Sequence, residues 1–291
     1  MMPLLAVDLL LMLPALILLG VVFLLPLLRD AWLSLHASTV ITGLMAVPNG
    51  AANWWRLLDD ARFRQDAFQT VRFTGVSVGL ELVLGFGLAL VLHRPGRGRA
   101  LLRALVLLPW ALPTTVMALG WRWILNDPHG PLNGLLQAVG LPTFGFLTTP
   151  STTWLAVVVA DVWKTTPFVA LLLLAGLQSI PVDLVEALQL EGAGPLTILR
   201  RLTLPLLAPW IALALLFRIA QSLGVFDLIQ VLTGGGPAGS TESLAMYAYR
   251  QSLRFLDFGY GATVLMATFL LLLLPGVIWL LLQNRLPRRS A

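Results

Sequence analysis

The residues able to do chemistry in this chain lie where charge is costly. Asp161, Lys164, Thr165 and Phe168 fall at i, i+3, i+4 and i+7 within a long apolar run, so one helical face would carry all four. Arg218, Gln221 and Ser222 repeat the i, i+3, i+4 spacing in a second apolar run. An ionised side chain in hydrocarbon is tolerated where it faces a bundle interior or a wet cavity. Donors and acceptors of this kind, with Phe168, Trp163 and Trp110 as an aromatic platform, suit a polar solute that is neutral or weakly acidic. The same residues also have a purely structural use. Asp161 and Lys164 would then form an ion pair, and Arg218 would snorkel or pair with Glu81. Lys164 is the only Lys in the chain, which makes its place in an apolar helix hard to explain by solvation alone. Hydrolytic chemistry is a poor fit. His36, His93 and His129 are scattered, and neither His-Glu-x-x-His nor Gly-x-Ser-x-Gly occurs.

A second polar stretch, residues 181–205, separates these two runs. Asp183, Glu186 and Glu191 come first, then a Gly-Ala-Gly-Pro break at 192–195, then Arg200 and Arg201. Leu184 and Leu188 are four apart with Val185 beside them, which predicts a short amphipathic helix. Gly suits its C-terminal cap and Pro the first turn of a second helix. A compact helix-turn-helix between membrane spans could plug a groove on a partner.

The elements that must position these groups follow from composition. The chain is 291 residues long, 58% hydrophobic and 11% charged, with a mean hydropathy of +0.86. Those values place it among polytopic all-α membrane proteins. With roughly 20 apolar residues needed per span, six segments qualify: 7–28, 70–92, 104–125, 154–177, 206–224 and 262–282. The first is too long for a signal peptide and lacks a basic leader, so it is expected to be a retained span. There is no Cys, which excludes a disulfide scaffold and a Cys-based metal site.

Basic residues set the orientation. Arg94, Arg97, Arg99 and Arg103 follow the second span, Arg200 and Arg201 sit in the 181–205 loop, and Arg285, Arg288 and Arg289 close the chain. Residues 126–153 contain no Lys or Arg. The positive-inside rule places both termini and the 181–205 loop in the cytoplasm. The net charge of +5 fits this orientation better than nucleic-acid binding. Trp54, Trp55, Phe63 and Phe68 then lie outside and predict an interfacial helix with aromatic anchors.

Glu186-Ala187, Glu191-Gly192-Ala193, Leu202 and Leu204-Pro205 resemble the cytoplasmic coupling loop of ABC importer permeases. That family writes the loop Glu-Ala-Ala, two variable residues, Asp-Gly-Ala, and later an apolar-x-Leu-Pro. Here Leu188 stands for the second Ala, Glu191 for Asp, and Leu199 for a common Phe. Leu232-Thr233-Gly234-Gly235-Gly236-Pro237 resembles the outer Leu-Thr-x-Gly-Gly-Pro segment of the sugar-type members. Leu108-Pro109-Trp110, Trp121-Arg122-Trp123, Trp163-Lys164-Thr165-Thr166-Pro167 and Tyr247-Ala248-Tyr249-Arg250 extend the likeness from first span to last.

The resemblance implies a single transmembrane permease domain over 1–291, of the kind that carries maltose, trehalose, glycerol-phosphate or similar solutes. Glu186, Ala187, Glu191, Gly192, Ala193, Leu204 and Pro205 would couple it to an ATPase. Lys164, Thr165, Phe168, Gln221 and Ser222 match positions lining the sugar site of maltose-type permeases, with Arg218 a neighbour. The implied partners are a second, related permease subunit as a heterodimer, a dimer of ABC ATPases, an external solute-binding protein and membrane lipid. The implied location is the bacterial plasma (inner) membrane. The chain itself would bind no cofactor. It has no Gly-x-x-x-x-Gly-Lys-Ser/Thr loop, so ATP and Mg would sit on the ATPase subunits. A secondary transporter with coupling ions at Asp161 and Glu81 is the competing reading, but it leaves the 181–205 loop without a task.

Overall fold

The computed structural model describes residues 2–96 and 98–283. The basic positions Arg97, Arg285, Arg288 and Arg289 lie outside the described residues. The chain is helical almost throughout, and the described residues divide into two compact units. One draws on residues up to Gln65 and on Leu244–Leu273. The other draws on Asp66–Ser243 and on the residues from Leu274 onward.

In the first unit, α1 (Met2–Leu19) runs through a π turn into α2 (Leu25–Leu33). Its Leu11–Leu33 portion is apolar as far as Leu28, with Arg29 and Asp30 in its last turns, and its strongest hydrophobic window buries nothing among the described residues. A two-residue hairpin, β1 (His36–Ala37) with β2 (Val47–Pro48), pairs antiparallel and leads to α3 (Ala52–Asp59). Asn53 fixes the hairpin by donating Nδ2 to the carbonyls of Ser34 and His36 at 3.2 and 2.9 Å. Asp60 ends α3 and starts α4 (Ala61–His93). Its Oδ1 accepts from the amides of Arg62 and Phe63 at 2.8 and 3.2 Å, satisfying two of the donors a helix start leaves open. Its Oδ2 accepts the Tyr247 hydroxyl at 2.5 Å and also that of Tyr260. The interfacial helix expected from Trp54, Trp55, Phe63 and Phe68 is therefore two elements, α3 and the first turns of α4.

α4 has 33 residues, about 50 Å at 1.5 Å per residue, and begins well before the apolar segment at 70. Its polar first third therefore extends past the ~30 Å hydrocarbon core. The second unit packs α4, α8 (Pro150–Gln178) and α11 (Leu204–Leu223) around Ala89, Leu92, Val169, Leu173, Leu177, Leu207 and Ala214. Two glycines make the approach possible. A Cβ on Gly85 would lie 2.7 Å from Val169, and one on Gly176 would lie 2.5 Å from the Trp210 ring.

Between α4 and α8 lie α5 (Arg99–Ala111), α6 (Thr114–Ile124) and α7 (Pro131–Ala138). The sequence predicts one span over 104–125, with Pro113 as a place where it can kink. Instead, α5 and α6 meet at 88°. Pro113 is the cause: the residue before a proline is pushed to an extended conformation, and Leu112 adopts ψ 137°. Among the described residues five helices are long and apolar enough to cross a membrane, and the broken pair makes a sixth if counted as one span.

The loop at 181–205 folds as expected and then goes further. α9 (Val182–Leu190) is followed by Gly192 at φ +79°, where an L side chain is strained. Ala193 N–H donates to the Leu188 carbonyl at 2.9 Å and Gly192 N–H to that of Gln189 at 3.0 Å, the two bonds of a Schellman cap. α10 (Pro195–Ile198) then passes through a π turn straight into α11. Residues 195–223 are one continuous helical rod. Beyond it come α12 (Asp227–Leu232), α13 (Leu244–Tyr249), a π turn and α14 (Phe258–Gln283).

Candidate functional site

α4, α8 and α11 each carry one charge to a common point in the second unit. Arg218 on α11 donates Nε to Glu81 Oε2 at 2.5 Å and Nη2 to Glu81 Oε1 at 2.8 Å. The same Nη2 reaches Asp161 Oδ2 at 3.2 Å, and Nη1 donates to Gln221 Oε1 at 2.7 Å. Thr165 Oγ1 lies 2.7 Å from both Glu81 Oε1 and the Asp161 carbonyl oxygen. Glu81 is fully buried and Arg218 is 2% exposed. A forked pair with its remaining lone pairs occupied is the arrangement that offsets the desolvation of both ions. Of the two structural alternatives the sequence offers for Arg218, the Glu81 pair is the one observed.

Lys164 turns away from this network. Its Nζ donates to the Leu112 carbonyl at 2.5 Å, with that of Trp110 at 3.5 Å. These carbonyls belong to the end of α5, where the Pro113 break leaves acceptors without intrahelical donors. Among the described residues no Asp161–Lys164 ion pair forms. The basic side chain instead caps the C-terminal, electronegative end of α5.

A cavity of about 310 Å³ opens beside the network. Asp161, Lys164, Thr165, Arg218 and Gln221 face it from α8 and α11, and Trp110 and Thr114 face it from the two sides of the break. Gly224 to Leu228, the turn into α12, completes the lining and brings Asp227 to the wall. Four of the six expected solute contacts, Lys164, Thr165, Arg218 and Gln221, are therefore on this wall. Phe168 stands behind it, stacked on Trp110 at 5.7 Å and 19° and edge-on to Phe217. Ser222 is 2% exposed, and its Oγ is buried without a hydrogen-bond partner. Sequence reasoning did not single out Thr114 and Asp227. Thr114 follows the break, which at 88° is far sharper than the kink the sequence allows at Pro113. Asp227 starts a six-residue helix whose apolar stretch is too short to read as an element.

The 181–205 loop is the opposite of a core. α9 and α10 bury no residue. Val182, Leu190 and Leu196 are exposed, Leu190 by 90%. Glu186, Ala187, Glu191 and Gly192 are exposed, Ala193 is half-buried beside them, and Leu204 and Pro205 begin α11. No atom lies within 4 Å of a Cβ built on Gly192, so within this chain its role is the positive φ.

A bundle of apolar spans surrounding a charged network and a polar cavity, with an apolar knuckle presented from one loop, defines a solute-pathway protein of the membrane. Residues 81–290 match the family described as binding-protein-dependent transport system inner membrane component. The trehalose/maltose transport system permease protein MalF of Thermococcus litoralis is 42% identical over 272 residues, 93% of this chain and 91% of that protein. The sulfoquinovosyl glycerol transport system permease protein SmoG of Agrobacterium fabrum is 36% identical over 271 residues, 93% of this chain and 88% of its own length. The fold matches a chain of a bacterial alginate ABC transporter, crystallised with an alginate pentasaccharide-bound periplasmic protein. The TM-score is 0.82 at 22% identity, over 97% of this chain and 95% of that one. The chain belongs to the family of binding-protein-dependent transport system inner membrane components. It is a multi-pass permease subunit of an ABC importer and not an enzyme.

Proposed function

We propose that this chain, acting as one permease domain, forms half of the import pathway for a sugar or sugar-like solute. A second, related permease subunit supplies the other half. A dimer of ABC ATPases, which hold ATP and Mg, docks on the 181–205 loop, and an external binding protein delivers the solute. Both termini and the loop face the cytoplasm of a bacterial plasma membrane, in keeping with the distribution of Arg. The relatives that carry trehalose, maltose and sulfoquinovosyl glycerol support the solute class.

The observation that carries the reading is mechanical. The exposed knuckle at α9 leads through one Gly-capped turn into an unbroken rod from Pro195 to Leu223, and that rod holds Arg218 and Gln221 at the cavity. A push on the loop is thereby delivered to the wall of the site. In this scheme Glu186, Glu191 and the Gly192 turn meet the ATPase, while Lys164, Thr165 and Gln221 meet the solute. Phe168 backs the Trp110 ring, and Ser222 lies under Gln221 on the same helix.

The test is uptake of radiolabelled trehalose and maltose by vesicles containing the assembled transporter. Uptake that is vanadate-sensitive, and lost in Gly192→Trp while ATP hydrolysis persists, is the expected result. Uptake abolished by an uncoupler with ATP still high would establish ion coupling instead. Normal uptake by Gly192→Trp would remove the docking role.

A further inference from the structure

The turn between α4 and α5 gathers positive charge that no neighbouring acid in the sequence balances. Arg94, Arg97, Arg99 and Arg103 fall within residues 94–103, and residues 82–126 contain no Asp or Glu. Arg94 and Arg99 are exposed, and among the described residues their side chains make no hydrogen bond or ion pair. Arg103 is half-buried and uses Nη2 to donate to the Leu92 carbonyl at 3.3 Å, which holds it against the end of α4. An arginine fork matches a phosphate in geometry and charge, and about four or more basic residues at the end of a span read as a site for anionic headgroups.

An apolar stripe begins where the charge ends. α5 packs Val106 against the core of the second unit and turns Leu101, Leu105 and Leu108, at i, i+4 and i+7, outward. These three are 65%, 53% and 57% exposed. With 13 residues α5 is about 20 Å long, little more than half of a ~30 Å hydrocarbon core, before the chain breaks at Pro113. Arginines at one end of a leucine stripe of that length match a phospholipid, headgroup and acyl chain together. A soluble anion would use only the arginines, and an apolar partner helix only the leucines.

We infer that the α4–α5 turn and the outer face of α5 bind an anionic phospholipid from the leaflet in which they lie. Arg94, Arg99 and Arg103 receive the headgroup phosphate, and Leu101, Leu105 and Leu108 take an acyl chain. The same half-span carries Trp110 to the cavity and ends beside the Leu112 carbonyl that Lys164 caps, so the lipid bears on the elbow as well. The site does not depend on which solute the pathway carries.

The test is native mass spectrometry of the assembled transporter with dioleoyl phosphatidylglycerol or dioleoyl phosphatidylcholine added. The complex should hold at least one phosphatidylglycerol per copy of this chain about tenfold more tightly than phosphatidylcholine. Arg94→Gln with Arg99→Gln, both at exposed positions, should hold one fewer per copy, the loss being about fivefold in affinity per arginine. Leu101→Ser with Leu105→Ser should weaken the dioleoyl lipid at least about fivefold and leave the dihexanoyl form unchanged. An equal number of tightly held lipids in the parent and the arginine double variant would overturn the site. Full displacement of the lipid by millimolar inorganic phosphate would overturn the acyl-chain assignment in favour of a soluble anion. Loss of the ATPase subunits from the arginine double variant would show a protein contact there and overturn the lipid assignment.

Discussion

Two parts of the second unit reverse the usual placement of residues, in opposite senses. At the Glu81–Arg218–Asp161 junction, charged groups are buried and four of the five Arg218 N–H donors are matched. At the 181–196 knuckle, Val182, Leu184, Leu190 and Leu196 are exposed and no residue of α9 or α10 is buried. The difference lies in where each finds its partner. The junction is complete within one chain, so its chemistry is rigid and internal. The knuckle is incomplete, so its apolar surface is held by a turn and left for another molecule. Substitution at the first should therefore cost stability, and substitution at the second should cost assembly or transport with the fold intact.

The largest effect is expected at the junction. Arg218→Met leaves Glu81 and Asp161 buried without their cation, a loss of about 3–5 kcal/mol, seen as a collapse in thermal unfolding temperature in detergent. The double change Arg218→Met with Glu81→Gln should recover part of that loss, because the stranded charge is removed. A single variant as stable as the parent would mean the junction is not the internal brace described here.

Asp60 is intermediate, being a partly buried carboxylate completed within the first unit. Burial alone would raise its pKa, but the hydroxyls of Tyr247 and Tyr260 and the amides of Phe63 and Arg62 outweigh burial and hold it below the ordinary 3.8. Its stabilising contribution is thus present above that pH and is lost as pH falls through the lowered value. Asp60→Asn should cost about 1–3 kcal/mol at neutral pH, and it should flatten the acid limb of the unfolding profile below pH 3.8. An unchanged acid limb would place that titration elsewhere.

At the knuckle the changes in stability shrink. Gly192→Trp should lose roughly 1 kcal/mol, the strain of a left-handed non-glycine residue, while import falls at least about tenfold, the size of a modest coupling energy. Leu190→Asp should alter unfolding by less than about 0.5 kcal/mol, yet should weaken co-purification with the ATPase subunits. A large destabilisation by Leu190→Asp would show that this surface is covered from within.

Much of the architecture was legible because its causes are local. The apolar runs, the Gly192 cap and the i, i+3, i+4 polar faces of α8 and α11 each depend on residues within a turn or two. The structure keeps them, apart from the 104–125 run that breaks at Pro113, with α9 and α11 near their expected bounds. Asp161 and Glu81 were visible as charges in spans, but not their shared dependence on Arg218. Thr114 had only the adjacent Pro113 to mark it, and Asp227 had no local signal.

The sequence by itself determined which stretches are helical and apolar, where the loop between α8 and α11 must turn, and that several charges had to be buried. Tertiary structure alone decided the pairings. Arg218 meets Glu81 across 137 positions, and Lys164 abandons Asp161 for carbonyls set free by a break 52 residues earlier. The reason is physical: helix periodicity and turn chemistry act over a few residues, whereas the partner of a buried charge is set by which helices pack together, here through the close approaches at Gly85 and Gly176.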